Sequence, residues 1–423
     1  MSKVEKAKYT AEAQAGFNHR TAMEEAARCL LCHDAPCSEG CPAGTDPGKF
    51  IRSIRFRNAK GAAETIRENN ILGGSCARIC PYDRLCEEAC SRCGIDKPIQ
   101  IGKLQRYAIE QEKIFKMKTL KAPAKKMKEK VACVGAGPAS LACAAELAKA
   151  GYKVTVFDRE EKAGGVMTYG IVPTRLPQKV VDHDIAQVKG LGVKFVLGKK
   201  VKPAELEAFD AVFVGVGLWG AKVPPIKGTN LKGVYAAADF LKQARTKKTF
   251  KPGKKVVVVG GGDVAVDCAV TAKLLGAEDV RIVYRRTLEE APGNMTEFQY
   301  ALSLGIGITT NMAPSSVLGT NKVEAVKFKG RPKVTESSEL KLEANTVVFA
   351  IGQGAEDFSE LAPVKLTEKG MIKATAKGKT SSKKYFAGGD IVNGGKTVVE
   401  AVAQGKSVAE SIMNYLSKKE GVN

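Results

Sequence analysis

Histidine is scarce in this 423-residue chain, which holds only His19, His33 and His183. The first two lie by a cysteine-rich stretch and the third falls on an expected helix face, so each reads as structural. No Ser-His-Asp set, His-ligated metal centre or pair of catalytic carboxylates is evident, which sets hydrolytic and His-metal chemistry aside. Long apolar runs are also missing. None approaches the roughly 18 residues of a membrane span, and the start MSKVEKAKYT lacks the apolar centre of a signal peptide, so a soluble, cytoplasmic protein is expected. Acidic residues are few against basic ones, 45 to 67, for a net charge of +22. The Lys-dense stretch at 116–130 contains a proline and reads as a linker. No nucleic-acid motif accompanies the charge, so an acidic protein partner or simple solubility accounts for it better.

Cysteine is what the chain has instead, with nine of its twelve in the first 93 residues. Without a secretory signal, such clustering points to metal or redox chemistry and not to a disulfide framework. The first group, Cys29-x2-Cys32-x4-Cys37-x3-Cys41-Pro42, is close to the ferredoxin-type run, in which the fourth cysteine crosses to a second cluster. A second group follows at Cys76, Cys80-Pro81, Cys86 and Cys90, with Cys93 nearby. Residues 46–72 between the groups show helical periodicity, which predicts a small helical domain bringing the two together. Structural zinc is the alternative, but the longer, proline-followed spacings suit cubane clusters better. Cys133, Cys143 and Cys268 sit in apolar stretches and read as core residues.

Two dinucleotide-binding signatures come next. Residues 130–158 read as strand, glycine turn, helix and strand ending in an acid. Gly135 makes the tight turn, Gly137 admits a pyrophosphate at the helix start formed by Pro138 and Ala139, and Asp158 is placed for a ribose hydroxyl. The second copy, residues 254–286, has Gly260, Gly262 and Ala265 at the three positions and ends in Arg285-Arg286, where guanidinium groups suit a 2′-phosphate and so NADPH over NADH. Two further strands end in turns at Gly217 and at Ala350, Ile351 and Gly352. Near the C-terminus, Gly388-Gly389-Asp390 precedes a helix that begins around Lys396, Thr397 and Val398. This last arrangement resembles flavoproteins with two dinucleotide-binding domains, in which that Asp contacts FAD and the helix points its positive end at the flavin.

Joined to the cysteine block, the segments RCLLCHDAPCSEGCPAGTDPGKFIRSI, AAETIRENNILGGSCARICP and PIQIGKLQRYA make nearly the whole chain resemble the flavin-containing subunit of bacterial dihydropyrimidine dehydrogenases. A looser resemblance extends to the small subunit of glutamate synthase and to the subunit of electron-bifurcating NADPH oxidoreductases. The resemblance implies one 4Fe-4S cluster on Cys29, Cys32, Cys37 and Cys90, and another on Cys41, Cys80, Cys86 and Gln105. It also implies FAD contacts from Gly135, Gly137, Pro138, Ala139, Asp158, Gly164, Gly165, Arg175, Gly389, Asp390, Lys396, Thr397 and Val398. The nicotinamide nucleotide would take Gly260, Gly261, Gly262, Asp263, Val264, Arg285, Arg286, Ala350, Ile351 and Gly352. Some bacterial members use NADH, so the coenzyme stays open.

The expected fold is α/β: a helical two-cluster iron-sulfur domain at 1–115, a linker at 116–130, and two Rossmann-like domains. FAD takes 131–248 and 355–423, with an NAD(P) domain inserted at 249–354. The expected activity is electron input, from NADPH or NADH through FAD and two 4Fe-4S clusters to an FMN-containing, PreA-type catalytic subunit that reduces uracil or thymine. Nothing in the chain looks like a pyrimidine-reducing site, so the partner must hold it. The readings to be weighed against this are electron input to another acceptor, as in glutamate synthase or a bifurcating complex, and a zinc-stabilised basic nucleic-acid-binding protein.

Overall fold

The computed structural model describes residues 9–121, 123, 125–332, 338–358 and 360–420; positions 122 and 124 of the expected linker and the ends of the first and last expected domains lie outside them. The chain divides into two compact units. One comprises Gln14–Thr168, Gln178–Leu218 and the chain from Ala355 on; the other comprises the described part of Met1–Ala13, Tyr169–Pro177 and Trp219–Gly354.

The first unit begins with helices. Asn18 caps α1 (His19–Ala27), accepting from Thr21 N at 2.9 Å while Thr21 Oγ1 accepts from Asn18 N. Asp46 caps α2 (Pro47–Arg55), whose Pro47 sits at the first position, where the missing N–H costs nothing. The periodicity at 46–72 is that of two helices: Arg57 adopts φ +59°, and Asn58 then caps α3 (Ala59–Asn69). After α4 (Gly73–Ile79) and an irregular cysteine-bearing stretch comes α5 (Ile101–Ile114). Phe50, Ile51 and Ile54 of α2 meet Ile66 of α3 and Leu104, Ala108 and Ile109 of α5 in one core, against which Cys29, Cys37, Cys86 and Cys90 pack. The cysteines thus ride on a rigid helical frame.

In the same unit, β1 (Lys130–Val134), β2 (Lys153–Phe157), β3 (Lys194–Val196), β4 (Ala211–Val214) and a late strand, Tyr385–Ala387, form a parallel sheet with the late strand beside β4 and the order β4-β1-β2-β3 beyond it. β1 and β4 are buried on both faces, as a parallel sheet covered by helices requires. Helix α6 (Pro138–Lys149) connects β1 to β2, and α7 (Gln178–Gly190) precedes β3.

The second unit has its own parallel sheet, built from β5 (Val234–Ala236), β6 (Lys255–Val259), β7 (Asp279–Val283), β8 (Gly307–Thr309) and Thr346–Phe349. The last of these lies between β5 and β6. Helices α8 (Ala237–Thr246), α9 (Asp263–Leu274) and α10 (Met295–Ser303) belong with it. A three-stranded antiparallel sheet, β9 (Met312–Leu318), β10 (Ala325–Gly330) and β11 (Glu339–Glu343), precedes β12, the strand Thr346–Phe349. The insertion is larger than the expected 249–354, because β5 and α8, read in the sequence as FAD-domain chain, join this sheet. The three-residue strand is too short to carry a pattern, and its place comes from pairing with the free edge of β12. Tyr9 is likewise buried in this unit's core, next to Val172 and the helix α9 residues Cys268 and Ala269. The C-terminal segment returns to the first unit as β13, the late strand at Tyr385–Ala387, followed by the long helix α11 (Val398–Glu420) packed along α6. None of the described helices is long and apolar enough to cross a membrane.

Candidate functional site

Cys29, Cys32, Cys37 and Cys90 come together around the end of α1. Leu31, at φ +53°, turns the Cys29-to-Cys32 loop back on itself, and its backbone N–H reaches the Cys29 sulfur. Burial pushes the Cys37 thiol up to about 12, helped by the neighbouring Cys90, Cys29 and Cys32 sulfurs; Cys29 is raised for the same reasons. Thiols that repel one another's ionisation in this way are those a cluster core would hold as thiolates.

Cys41, Cys80, Cys86 and Gln105 line one small cavity, together with Cys76, Thr45 and Val399. Cys80 is held well above the ordinary thiol range, first by its hydrogen bond with Cys76 and then by burial and the Cys86 and Cys41 sulfurs. Burial raises Cys86 too, with Glu87, Cys41 and Cys37 adding to it, so Cys37 and Cys86 bring the two sets near each other. Gln105 Nε2 donates to Gly73 O at 2.7 Å, which leaves Oε1 as its available acceptor. Thr45 Oγ1 is buried without a hydrogen-bond partner. Four thiols, an amide oxygen and an orphaned hydroxyl around one cavity fit an iron-sulfur core. Among the described residues, no three Cys, His, Asp or Glu side chains gather as they would around a single ion.

Sequence reasoning missed what fixes this cavity to the parallel sheet of the same unit. Asp184, on α7, accepts from Arg67 Nη1 at 2.6 Å, from Ser75 N and Oγ at 2.7 Å, and from Gly74 N at 3.2 Å. Arg67 also pairs with Glu112 at 2.7 Å, and His183 reaches Glu112 at 3.0 Å. Burial works against the Glu112 charge, but the His183 hydrogen bond and Arg67 hold its carboxyl down at about 2. Nothing in the motif spacing marks these positions. Their only signal in the sequence is charge within apolar helical stretches.

At the first glycine signature, Gly135 has φ +94°, and a Cβ there would stand 2.5 Å from Gly215 O, so only glycine fits. Gly137 caps α6, with Pro138 at its first position. Gly165 approaches Gly137, and Gly389 approaches Ala139, so three separate stretches meet at this helix start. Asp158 accepts from Ala136 N at 2.6 Å and Glu160 N at 2.8 Å, and burial raises its carboxyl above the ordinary range. Asp390 is raised by burial as well and accepts from Lys396 N at 3.2 Å. Thr397 and Glu400 cap the start of α11 reciprocally, with Thr397 N donating to Glu400 Oε2 and Glu400 N to Thr397 Oγ1. Gly164, at φ +116°, adjoins Gly165. Arg175 lies in the other unit, paired with Asp267 at 3.1 Å and Glu297 at 3.2 Å.

The second signature repeats the pattern. Gly260 has φ +155°, and a Cβ there would overlap Ala350 O, which brings the turn at Ala350, Ile351 and Gly352 beside it. Gly261 lies against the Tyr284 ring, Gly262 caps α9, and Asp263 Oδ1 accepts from Asn294 N at 2.7 Å. Val264 and Ile351 are exposed, as are Arg285 and Arg286 at the end of β7.

Comparisons with known proteins agree with this layout. The family described as dihydropyrimidine dehydrogenase domain II, 4Fe-4S cluster, matches residues 6–117, and pyridine nucleotide-disulphide oxidoreductase matches 129–405. The NAD-dependent dihydropyrimidine dehydrogenase subunit PreT of Escherichia coli (strain K12) is 44% identical over 417 residues, covering 96% of this chain and 97% of that protein. The glutamate synthase [NADPH] small chain of the same strain is 35% identical, covering 95% and 92%. Mycobacterium tuberculosis FprA in complex with NADPH shares the fold at a TM-score of 0.59 and 20% identity, over 70% of this chain and 86% of that one. These matches set aside the zinc-stabilised nucleic-acid binder and make the chain an oxidoreductase that uses FAD, NAD(P) and 4Fe-4S iron. A helical cysteine domain joined to two dinucleotide sheets, matched along almost its full length, places this chain in the family of NAD-dependent dihydropyrimidine dehydrogenase PreT subunits.

Proposed function

We propose that this chain is the cytoplasmic electron-input subunit of a dihydropyrimidine dehydrogenase, working with an FMN-containing, PreA-type partner that reduces uracil or thymine. When bound, FAD would accept hydride from NADPH or NADH, and two 4Fe-4S clusters would carry the electrons onward singly. The observation that carries this reading is a shared wall. Val399, in the first turn of α11, lines the cavity of Cys41, Cys80, Cys86 and Gln105, and it directly follows the Lys396, Thr397 and Val398 assigned to FAD. One helix end would then serve both sites.

The chain's own residues hold and orient. Gly135, Gly137, Pro138 and Ala139 open the positive end of α6 to a pyrophosphate, with Asp158 positioned for the ribose. Gly164, Gly165, Gly389 and Asp390 close around the same helix start; Arg175 is assigned to FAD by resemblance alone. Gly260, Gly261, Gly262, Asp263 and Val264 offer the matching cradle on α9, beside Ala350, Ile351 and Gly352. Arg285 and Arg286 would receive a 2′-phosphate. Cys29, Cys32, Cys37 and Cys90 would hold one cluster, and Cys41, Cys80, Cys86 and Gln105 the other.

The test is purification of the chain with its native partner and assay of pyrimidine-dependent NAD(P)H oxidation. Oxidation that requires uracil or thymine is expected. A complex that forms glutamate instead would move the chain to the glutamate synthase small chains.

A further inference from the structure

Lys406 sits within α11, one residue after Gly405, where that helix presses tightly on α6. A Cβ on Gly405 would overlap Ala139 O, so the two helices touch there backbone to backbone. From the next position the Lys406 side chain reaches the helical cysteine domain, with Nζ donating to Ala43 O at 2.6 Å and to Asn69 O at 2.8 Å. Ala43 follows Cys41-Pro42, and Asn69 precedes Asn70, which with Cys41 lines the cavity of the second cysteine set.

Both acceptors are backbone carbonyls. Among the described residues, no carboxylate stands within ion-pair distance of this part-buried ammonium, although Glu146 and Glu410 act on it from farther off and Lys149 opposes it. Burial pulls its proton affinity down, and the Cys41 sulfur is among the groups that pull it back up. Taking an ammonium out of water costs several kcal/mol unless an anion compensates it. The anion this fold would supply is a cluster on three thiolates and a neutral amide, which carries net negative charge and gains one more on reduction. A fixed positive charge beside such a centre favours its reduced form.

We propose that Lys406 is a positioning residue that neutralises the second cluster from the FAD side, raising that cluster's reduction potential above the value its ligands alone would set. The inference rests on the reading that the chain holds FAD and two clusters. It makes α11 a single strut that fixes the FAD helix at Gly405 and supplies charge to the cluster loops at Lys406.

The test is an EPR-monitored redox titration of the full chain purified anaerobically, as wild type, Lys406→Met and Lys406→Arg, with iron and flavin measured in each. Lys406→Met is expected to lower the midpoint of one cluster by the equivalent of about a tenfold change in its equilibrium, roughly 59 mV for one electron, while the other cluster and the flavin content stay put. Lys406→Arg is expected to retain the wild-type value. Should Lys406→Met shed iron, Lys406→Gln keeps a donor for the two carbonyls and is expected to show the same shift. Unmoved midpoints in an iron-replete neutral variant, or equal shifts in the Arg and neutral variants, would overturn the proposal. A wild-type chain without iron would instead sink the reading beneath it.

Discussion

Arg67 and Asp184, 117 positions apart, meet at 2.6 Å with both side chains fully buried. One lies on α3 of the cysteine domain and the other on α7 beside the FAD sheet, so the pair fastens the cluster-bearing frame to the flavin-binding layer. Removing one partner strands a buried charge, and Asp184→Ala is expected to cost about 3–5 kcal/mol of unfolding free energy. Denaturant melts of the variant and wild type, compared at equal iron content, check this. A change below about 1 kcal/mol would show that the pair is dispensable.

Acid should loosen the same junction. Glu112 has a folded-state pKa of about 2, below its ordinary value of 4.5, so its contribution is complete above the ordinary value and is lost as pH falls toward 2. Stability measured across that window is expected to decline, and Glu112→Gln, already without the charge, is expected to flatten that part of the decline. Parallel curves for variant and wild type would place the acid sensitivity elsewhere.

The two glycine turns are expected to separate the two nucleotide sites. Gly135→Ala forces a Cβ against Gly215 O at positive φ, and the purified variant is expected to lose its FAD. Gly260→Ala places the clash at Ala350 O in the other unit, and this variant is expected to keep FAD but to be reduced slowly by NAD(P)H. Loss of flavin absorbance in both variants alike would contradict the assignment of separate sites.

Coenzyme choice turns on Arg285 and Arg286, which project from the end of β7. With both changed to Ala, KM for NADPH is expected to rise at least tenfold more than KM for NADH, through loss of charge-assisted contacts to the 2′-phosphate. Equal changes for the two coenzymes would remove these arginines from that role.

What the sequence disclosed follows from how local its signals are. Gly135 and Gly260 announce their turns because only glycine tolerates the geometry, and the strand-turn-helix context lies within thirty residues of each. The cysteine spacings carry similar weight, and the structure groups Cys29 with Cys90 and Cys41 with Cys86 around the helical frame. Gln105 could be singled out only by resemblance, because a lone amide on a helix has no spacing to mark it. Asp184, Arg67 and Lys406 stayed hidden because they act through tertiary contacts more than a hundred residues apart. The edge of the inserted domain was misplaced because β5 is defined by its neighbour β12 and not by its own three residues.

The most direct test of the whole account is anaerobic purification of the chain with its native partner, followed by an absorbance spectrum, iron, zinc and flavin analysis, and stepwise titration with NADPH and NADH. The account predicts bound FAD with about eight irons per chain, as two 4Fe-4S clusters require, and bleaching of the spectrum by nucleotide. Zinc in place of iron, with no flavin, would contradict it.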